Sequence, residues 1–357
     1  MFFGGSIDRL PLYFRLESYY NLLLIILDAF GYSVFDKIKN PLEDAEVKKI
    51  TSIFPSTTAA AMLSFYTGLT PAEHGVMGFT TYMKEFGSII NMLNLSHPSQ
   101  EEPIQMLAQD FPKYISEKAV PLGVELSKLG VSCTAIVPNT IFDTPTTAFH
   151  TNGMNRIKYY YPWDALTHMR NLLSSEGRAF ISVYIPVVDT LSHHYGPQSP
   201  SVLSSAEDLL NMISRSLMGL KNFTALITAD HGQVPNEKTH VVDQQLMDIL
   251  EMPPFGDSRA AFLNTKNEDL VIKYFEENLK GFTLLRKSEV IKEGYLGPVL
   301  DQKFIDRVGD MLAVPEVNES LIYSYRGEAD ADYIAFKGHH GGLTPEEQEV
   351  PLIIVQR

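Results

Sequence analysis

Aspartate and histidine recur in four short motifs of this chain: Asp28 in ILDAFG, Asp189 and His193 in VVDTLSHHYGP, Asp230 and His231 in ITADHGQ, and His339 and His340 in FKGHHGGLTPEE. Carboxylate oxygens and neutral imidazole nitrogens together suit Zn²⁺ and similar divalent ions. A four-residue spacing puts Asp189 and His193 on one face of a helical turn, where both can bind one ion. Taken singly, His193, His194, His339 and His340 each read as an ordinary surface or core histidine. Taken together, the motifs read as a metal site. Six ligands and a hydroxyl are too many for one tetrahedral zinc. They are enough for two metals about 4 Å apart, the arrangement that clamps an in-line phosphoryl displacement.

The hydroxyl comes from FPSTTAAAMLSFYTG, residues 54–68. The segment starts with capping residue types, continues with strong helix formers and holds no Pro or Gly between Thr57 and Gly68. Thr58 is therefore expected at a helix N-terminus, where free backbone N–H groups favour a phosphate. A threonine hydroxyl is a poor nucleophile at neutral pH, but metal coordination and a helix N-terminus both favour its alkoxide. The plainer alternative is that Thr57 or Thr58 only caps the helix.

These side chains need a scaffold. LLLIIL (22–27), FISVYIPVV (180–188) and FTALITA (223–229) are short apolar runs, and Asp28, Asp189 and Asp230 follow them at once. Such runs read as strands buried on both faces of a parallel sheet. VSCTAIVP (131–138) reads as another, and helical patterns over 113–129, 163–175 and 202–219 alternate with them. The alternation predicts an α/β fold with a mostly parallel central sheet sandwiched by helices. Ligands of such folds bind outside the carboxyl ends of the strands, so the three aspartates converge on one edge. Residues 258–265, 267–279 and 282–291 read as a strand–helix–strand unit. The expected organisation is a catalytic domain of residues 1–239 and 331–357 and a small α+β insert or cap of residues 240–330. Residues 77–125 read as loops near the site. TPAE (70–73) and TPEE (344–347) match capping boxes with Pro at the first helical position. His74, beside the first box, reads as structural.

The 357 residues are 45% hydrophobic and carry a net charge of −14, which disfavours a nucleic acid polymer as partner. A small phosphorylated substrate stays open, because bound metals invert the local charge. The single cysteine, Cys133, allows no intramolecular disulfide and fits a reducing compartment. The run Leu22–Leu27 is too short to span a membrane, and Asp8, Arg9, Arg15 and Glu17 before it do not fit a signal peptide. The expectation is a cytoplasmic protein; a homo-oligomer is compatible with the sequence.

From ILDAFG to GHHGGLTPEEQEVPLIIV these motifs resemble, in order, those of the alkaline phosphatase superfamily, and within it the type I phosphodiesterase/nucleotide pyrophosphatase branch. In that superfamily the nucleophilic Ser or Thr precedes a Thr-Gly pair by nine residues; counting back from Thr67-Gly68 gives Thr58. The resemblance implies one metal, most simply Zn²⁺ with Mn²⁺ or Mg²⁺ as alternatives, on Asp189, His193 and a late histidine. His340, directly followed by glycine, is the first choice and His339 the reserve. It implies a second metal on Asp28, Asp230, His231 and Thr58. The implied activity is hydrolysis of phosphodiester or nucleotide pyrophosphate bonds through a phosphothreonine. The alternatives are a phosphomonoesterase, a phosphonate-cleaving hydrolase, or a catalytically inactive metal- or nucleotide-binding protein. Two departures bear on the substrate. Ala61 stands where an asparagine is usual, and no arginine obviously grips a monoester. Arg259 reads as a solvated surface residue rather than a phosphate contact.

Overall fold

A computed structural model describes residues 21–175 and 177–357. At its centre is a seven-stranded sheet. The strands are β1 (Asn21–Leu27), β2 (Glu46–Thr51), β3 (Ser132–Pro138), β4 (Asn155–Tyr159), β5 (Ala179–Ile185), β6 (Phe223–Thr228) and β7 (Glu349–Gln356). Their order is β2-β7-β6-β1-β5-β3-β4. The run from β6 to β4 is parallel throughout, and β7 is antiparallel to both β6 and β2.

Four helices matter for the site and its support: α1 (Thr58–Thr67), α2 (Pro162–Leu173), α3 (Val187–Tyr195) and α4 (Pro200–Leu217). Alternate residues of β1 explain the sandwich. Leu23, Ile25 and Leu27 pack with Leu166 and Met169 of α2 and with Leu209 and Ile213 of α4. Ile26, on the other face, packs with Met62 and Tyr66 of α1 and with Tyr184. Both faces are covered, which is why the run is continuously apolar. Among the described residues no helix is long and apolar enough to cross a membrane. Asp8, Arg9, Arg15 and Glu17 lie outside the described residues.

A second sheet, of four antiparallel strands, runs in the order Phe255–Asp257, Ala260–Leu263, Met311–Pro315, Phe282–Arg286. Val271, Tyr274 and Phe275 of the helix Glu268–Asn278 cover it. The parallel pair Lys238–Val241 and Glu319–Ile322 straddles position 239, so hydrogen bonds cross the seam expected there. Residues 77–125 supply a hairpin, Thr80–Met83 with Ser88–Asn91. The Thr80 hydroxyl ties it to the second sheet, donating to Gly256 O at 3.0 Å and accepting from Gly256 N at 2.9 Å.

Two local expectations are corrected. The pattern over 113–129 is not one helix but parts of two, Gln105–Tyr114 and Leu122–Lys128. Ile115 is extended, and Pro121, which cannot continue a helix, stands at the N-cap of the second. FTLLRKSEVI is a strand only to Arg286. Glu289 then accepts from the Arg286 N–H at 2.7 Å and starts a helix over Lys287–Lys292. Both TPxE segments form capping boxes. His74 is buried, its Nδ1 accepting from Val76 N at 3.1 Å, and burial pulls its pKa down to about 3.

Candidate active site

Register brings the motifs together. Leu27 lies opposite Ile185 and Ile26 opposite Thr228, so β1, β5 and β6 end level. Asp28 is the first residue past β1, Asp189 sits in the first turn of α3, and Asp230 follows β6 after Ala229. Ala29 adopts a left-handed φ of 56°, which turns its N–H onto Asp230 Oδ1 at 3.2 Å. The loops behind Asp28 and Asp230 touch at Gly31 and Gly232. A Cβ on Gly232 would fall 2.1 Å from Glu346 O, so no larger residue fits.

Two clusters result, each with ligand atoms within 4.8 Å of one another: Asp189, His193 and His340; and Asp28, Asp230 and His231. His193 Nε2 lies 3.2 Å from Asp189 Oδ1, one helical turn apart. Thr58, the first residue of α1, places Oγ1 3.1 Å from His231 Nε2 and 3.4 Å from Asp28 Oδ1. The His231 and His340 rings stack at 3.9 Å, which joins the clusters. His339 is turned elsewhere: its Nδ1 meets Ser258 Oγ at 3.0 Å.

The histidine tautomers suit metal ligation. Nδ1 of His193, His231 and His340 faces the carbonyl of Gly338 (2.8 Å), Gly232 (3.0 Å) and Ser56 (2.9 Å). A carbonyl only accepts, so each Nδ1 carries a proton and Nε2 is the nitrogen turned toward the cluster, the atom that would ligate a metal. Asp230 Oδ2 is buried without a hydrogen-bond partner, as a carboxylate oxygen awaiting a cation would be. Burial, then the charges of Asp230 and Asp189, push the Asp28 carboxyl well above the usual carboxylate range, against a hydrogen bond from Tyr184. Burial and the neighbouring His231 hold His340 well below the usual imidazole range, keeping it neutral. At Asp189 burial acts upward, but His193, one helical turn away, outweighs it and holds the carboxyl below its usual range. The donor set therefore fits two divalent cations.

The type I phosphodiesterase / nucleotide pyrophosphatase family matches residues 22–343. The chain belongs to this family. The fold is similar to human ectonucleotide pyrophosphatase / phosphodiesterase 5, at 18% identity and a TM-score of 0.69 over 93% of this chain and 87% of that one. An inactive threonine-to-alanine variant of the murine protein, in complex with AMP, is similar at 17% identity and a TM-score of 0.65, with the same 93% and 87% covered. Phosphonoacetate hydrolase from Sinorhizobium meliloti 1021, in complex with phosphonoacetate, is similar at 18% identity and a TM-score of 0.66 over 94% and 89%. No curated protein sequence matches the chain.

In this phosphodiesterase-family chain, several supporting residues escaped the sequence reading. The Tyr184 hydroxyl donates to Asp28 Oδ2, and Gln233 Nε2 donates to Asp189 Oδ1 at 2.6 Å. Ser56 accepts from Gly341 N at 3.1 Å and donates to Gly342 O at 3.0 Å, stitching the loop before Thr58 to the His340 loop. Thr57 holds the N-cap position, yet its side chain does not cap the helix; it bonds Asp257 instead. Arg259 is corrected outright. It is 1% exposed, its Nε and Nη2 donate to Glu347 at 2.7 and 3.1 Å, and its Nη1 donates to Val317 O and Glu319 O.

Proposed function

We propose that this family member is a two-metal phosphoric ester hydrolase cleaving phosphodiester or nucleotide pyrophosphate bonds through a phosphothreonine at Thr58. The observation that carries the proposal is the Thr58 hydroxyl at the N-terminus of α1, 3.1 Å from His231 Nε2 and 3.4 Å from Asp28 Oδ1. Asp28, Asp230, His231 and Thr58 would hold one divalent ion, and Asp189, His193 and His340 the other. Bound there, such ions favour the Thr58 alkoxide and offset charge on the phosphoryl oxygens. Thr58 Oγ1 bonds to phosphorus as the ester oxygen opposite it leaves. Water then attacks phosphorus from the vacated side, its oxygen staying on the phosphate and Thr58 regaining a proton. The N–H groups of Thr58, Ala59 and Ala60, free of intrahelical acceptors at this end of α1, are placed to bind phosphoryl oxygens. Arg259 supports a diester over a monoester, since its guanidinium is committed to Glu347 and free to grip nothing else. The single buried cysteine, Cys133, supports a reducing compartment, the cytoplasm, as its location.

Exhaustive chelation is expected to abolish turnover of bis(p-nitrophenyl) phosphate, and Zn²⁺ to restore it, with Mn²⁺ and Mg²⁺ compared in parallel. Turnover untouched by chelation refutes the metal assignment; metal binding without turnover makes the chain a binding protein.

A further inference from the structure

The two ligand clusters are held by different parts of the fold. Asp28, Asp230 and His231 sit just past the ends of β1 and β6, where the register of the central sheet places their backbone. The other cluster is assembled differently. Asp189 and His193 lie on α3, and His340 comes from a segment far along the chain. What brings that segment to α3 is a short antiparallel ribbon, Val234–Pro235 with Gly338–His339.

Every ligand of the Asp189 cluster is tied to this ribbon. His340 follows directly from its second strand. The Gly338 carbonyl accepts from His193 Nδ1 at 2.8 Å, and Lys337 N donates to His193 O at 2.6 Å. Gln233, the residue before its first strand, reaches Asp189. Its Nε2 lies 2.6 Å from Asp189 Oδ1 and 3.4 Å from Asp189 O. Both of those atoms accept, so the amide turns its NH₂ group toward them. Its other end bears the consequence. Gln233 is 2% exposed, and its Oε1 is buried without a hydrogen-bond partner. Gly338 closes over that oxygen, since a Cβ there would fall 2.6 Å from it. An unpaired buried acceptor is unfavourable, and an apolar side chain of the same length would fill the space without one. What the amide adds over such a side chain is a donor for Asp189, the one carboxylate of its cluster. A local rule broken at a ligand contact fits a functional role better than a packing role.

Resting on the two-metal reading above, we propose that Gln233 is a positioning residue for one of the two ions: its amide fixes the Asp189 carboxylate for ligation, so that metal binding at the Asp189 cluster depends on it and metal binding at the Asp28 cluster does not. Groups that orient metal ligands in this way set affinity by about 10–100-fold.

The test is Gln233→Met, which keeps the length of the side chain and removes the donor. Gln233→Glu, which keeps its shape and when ionised has no proton to donate, is the second variant in case Met disturbs the fold; melting of the metal-free proteins shows which are folded. The probe is Co²⁺, which shifts the NMR signals of nearby protons far from their ordinary range. The Co²⁺-loaded wild type should show shifted, exchangeable ring N–H signals from Nδ1 of His193, His231 and His340. In a Gln233 variant the His231 signal should appear at the wild-type Co²⁺ concentration, while those of His193 and His340 should need about 10–100-fold more. Diester turnover should return as the metal concentration is raised. Wild-type affinity at both clusters overturns the positioning role. Equal weakening at both also overturns it, since that is what a merely structural residue would do. A wild type that binds no Co²⁺ overturns the two-metal reading itself and this inference with it.

Discussion

Thr58→Ala is expected to lower kcat on a phosphodiester by at least about 10³-fold, because the substitution deletes the oxygen proposed to attack phosphorus. The fold has little reason to change. Thr58 is the first residue of α1, Ala is the better helix former there by a few tenths of a kcal/mol, and the chain keeps its other contacts. The melting temperature should therefore move by no more than about 2 °C. Metal content should also persist, since Asp28, Asp230 and His231 remain within 4.8 Å of one another. Thr58→Ser, which keeps a hydroxyl, should recover part of the rate, and acid quenching of the wild type in turnover should trap phosphate on Thr58 alone. Thr57→Ala is the sharp control. That side chain bonds Asp257, so its loss should move kcat far less. A Thr58→Ala protein with more than a tenth of wild-type turnover, or a Thr57→Ala protein equally dead, would remove Thr58 from the mechanism.

The nine-residue distance that picks out Thr58 has a physical meaning. Thr58–Thr67 is the whole of α1, and Gly68 ends it in a left-handed conformation with φ 67°, its N–H on Ser64 O. Thr67 does no chemistry; its hydroxyl bonds back to Leu63 O at 2.6 Å. The motif is thus a helix of fixed length, with the proposed nucleophile at one end and its stop signal at the other.

The central strands were legible because burial on both faces leaves a continuous apolar run. The margin was not. β2, EVKKIT, is an edge strand with mostly exposed side chains, so nothing apolar announces it. β7 carries Pro351, which argues against a central strand, yet its ladder to β6 begins only at Ile353 and leaves Pro351 outside it. The same division runs through the site. Asp189 and His193 were legible as a pair because one helical turn joins them. Tyr184 with Asp28, Gln233 with Asp189 and Thr57 with Asp257 are brought together by sheet register and by the second sheet, and no local spacing encodes that. Arg259 was misread for the same reason: arginine is buried only when paired, and its partner lies 88 positions away.

That pair carries the second large expected effect. Arg259 enters from the second sheet, and Glu347 sits in the TPEE capping box. Glu347 Oε1 accepts from Arg259 Nε and from Gly342 N, both at 2.7 Å, while Oε2 accepts from the Thr344 hydroxyl at 2.8 Å. One carboxylate thus fixes the second sheet to the loop that ends in His340-Gly341-Gly342. Arg259→Ala leaves that carboxylate buried and uncompensated, which costs about 3–5 kcal/mol. For a chain of this size the loss corresponds to roughly 5 °C in melting temperature. Removing both charges as Arg259→Met, Glu347→Leu should recover much of the stability, since no unpaired charge is left. It should not recover function, because the Gly342 N–H has still lost its acceptor and the loop holding His340 its anchor. The single and double variants therefore separate stability, read by thermal melting, from loop positioning, read by metal affinity at the Asp189 cluster. A double variant that binds metal and turns over diester like wild type would show that the pair only glues the two sheets together.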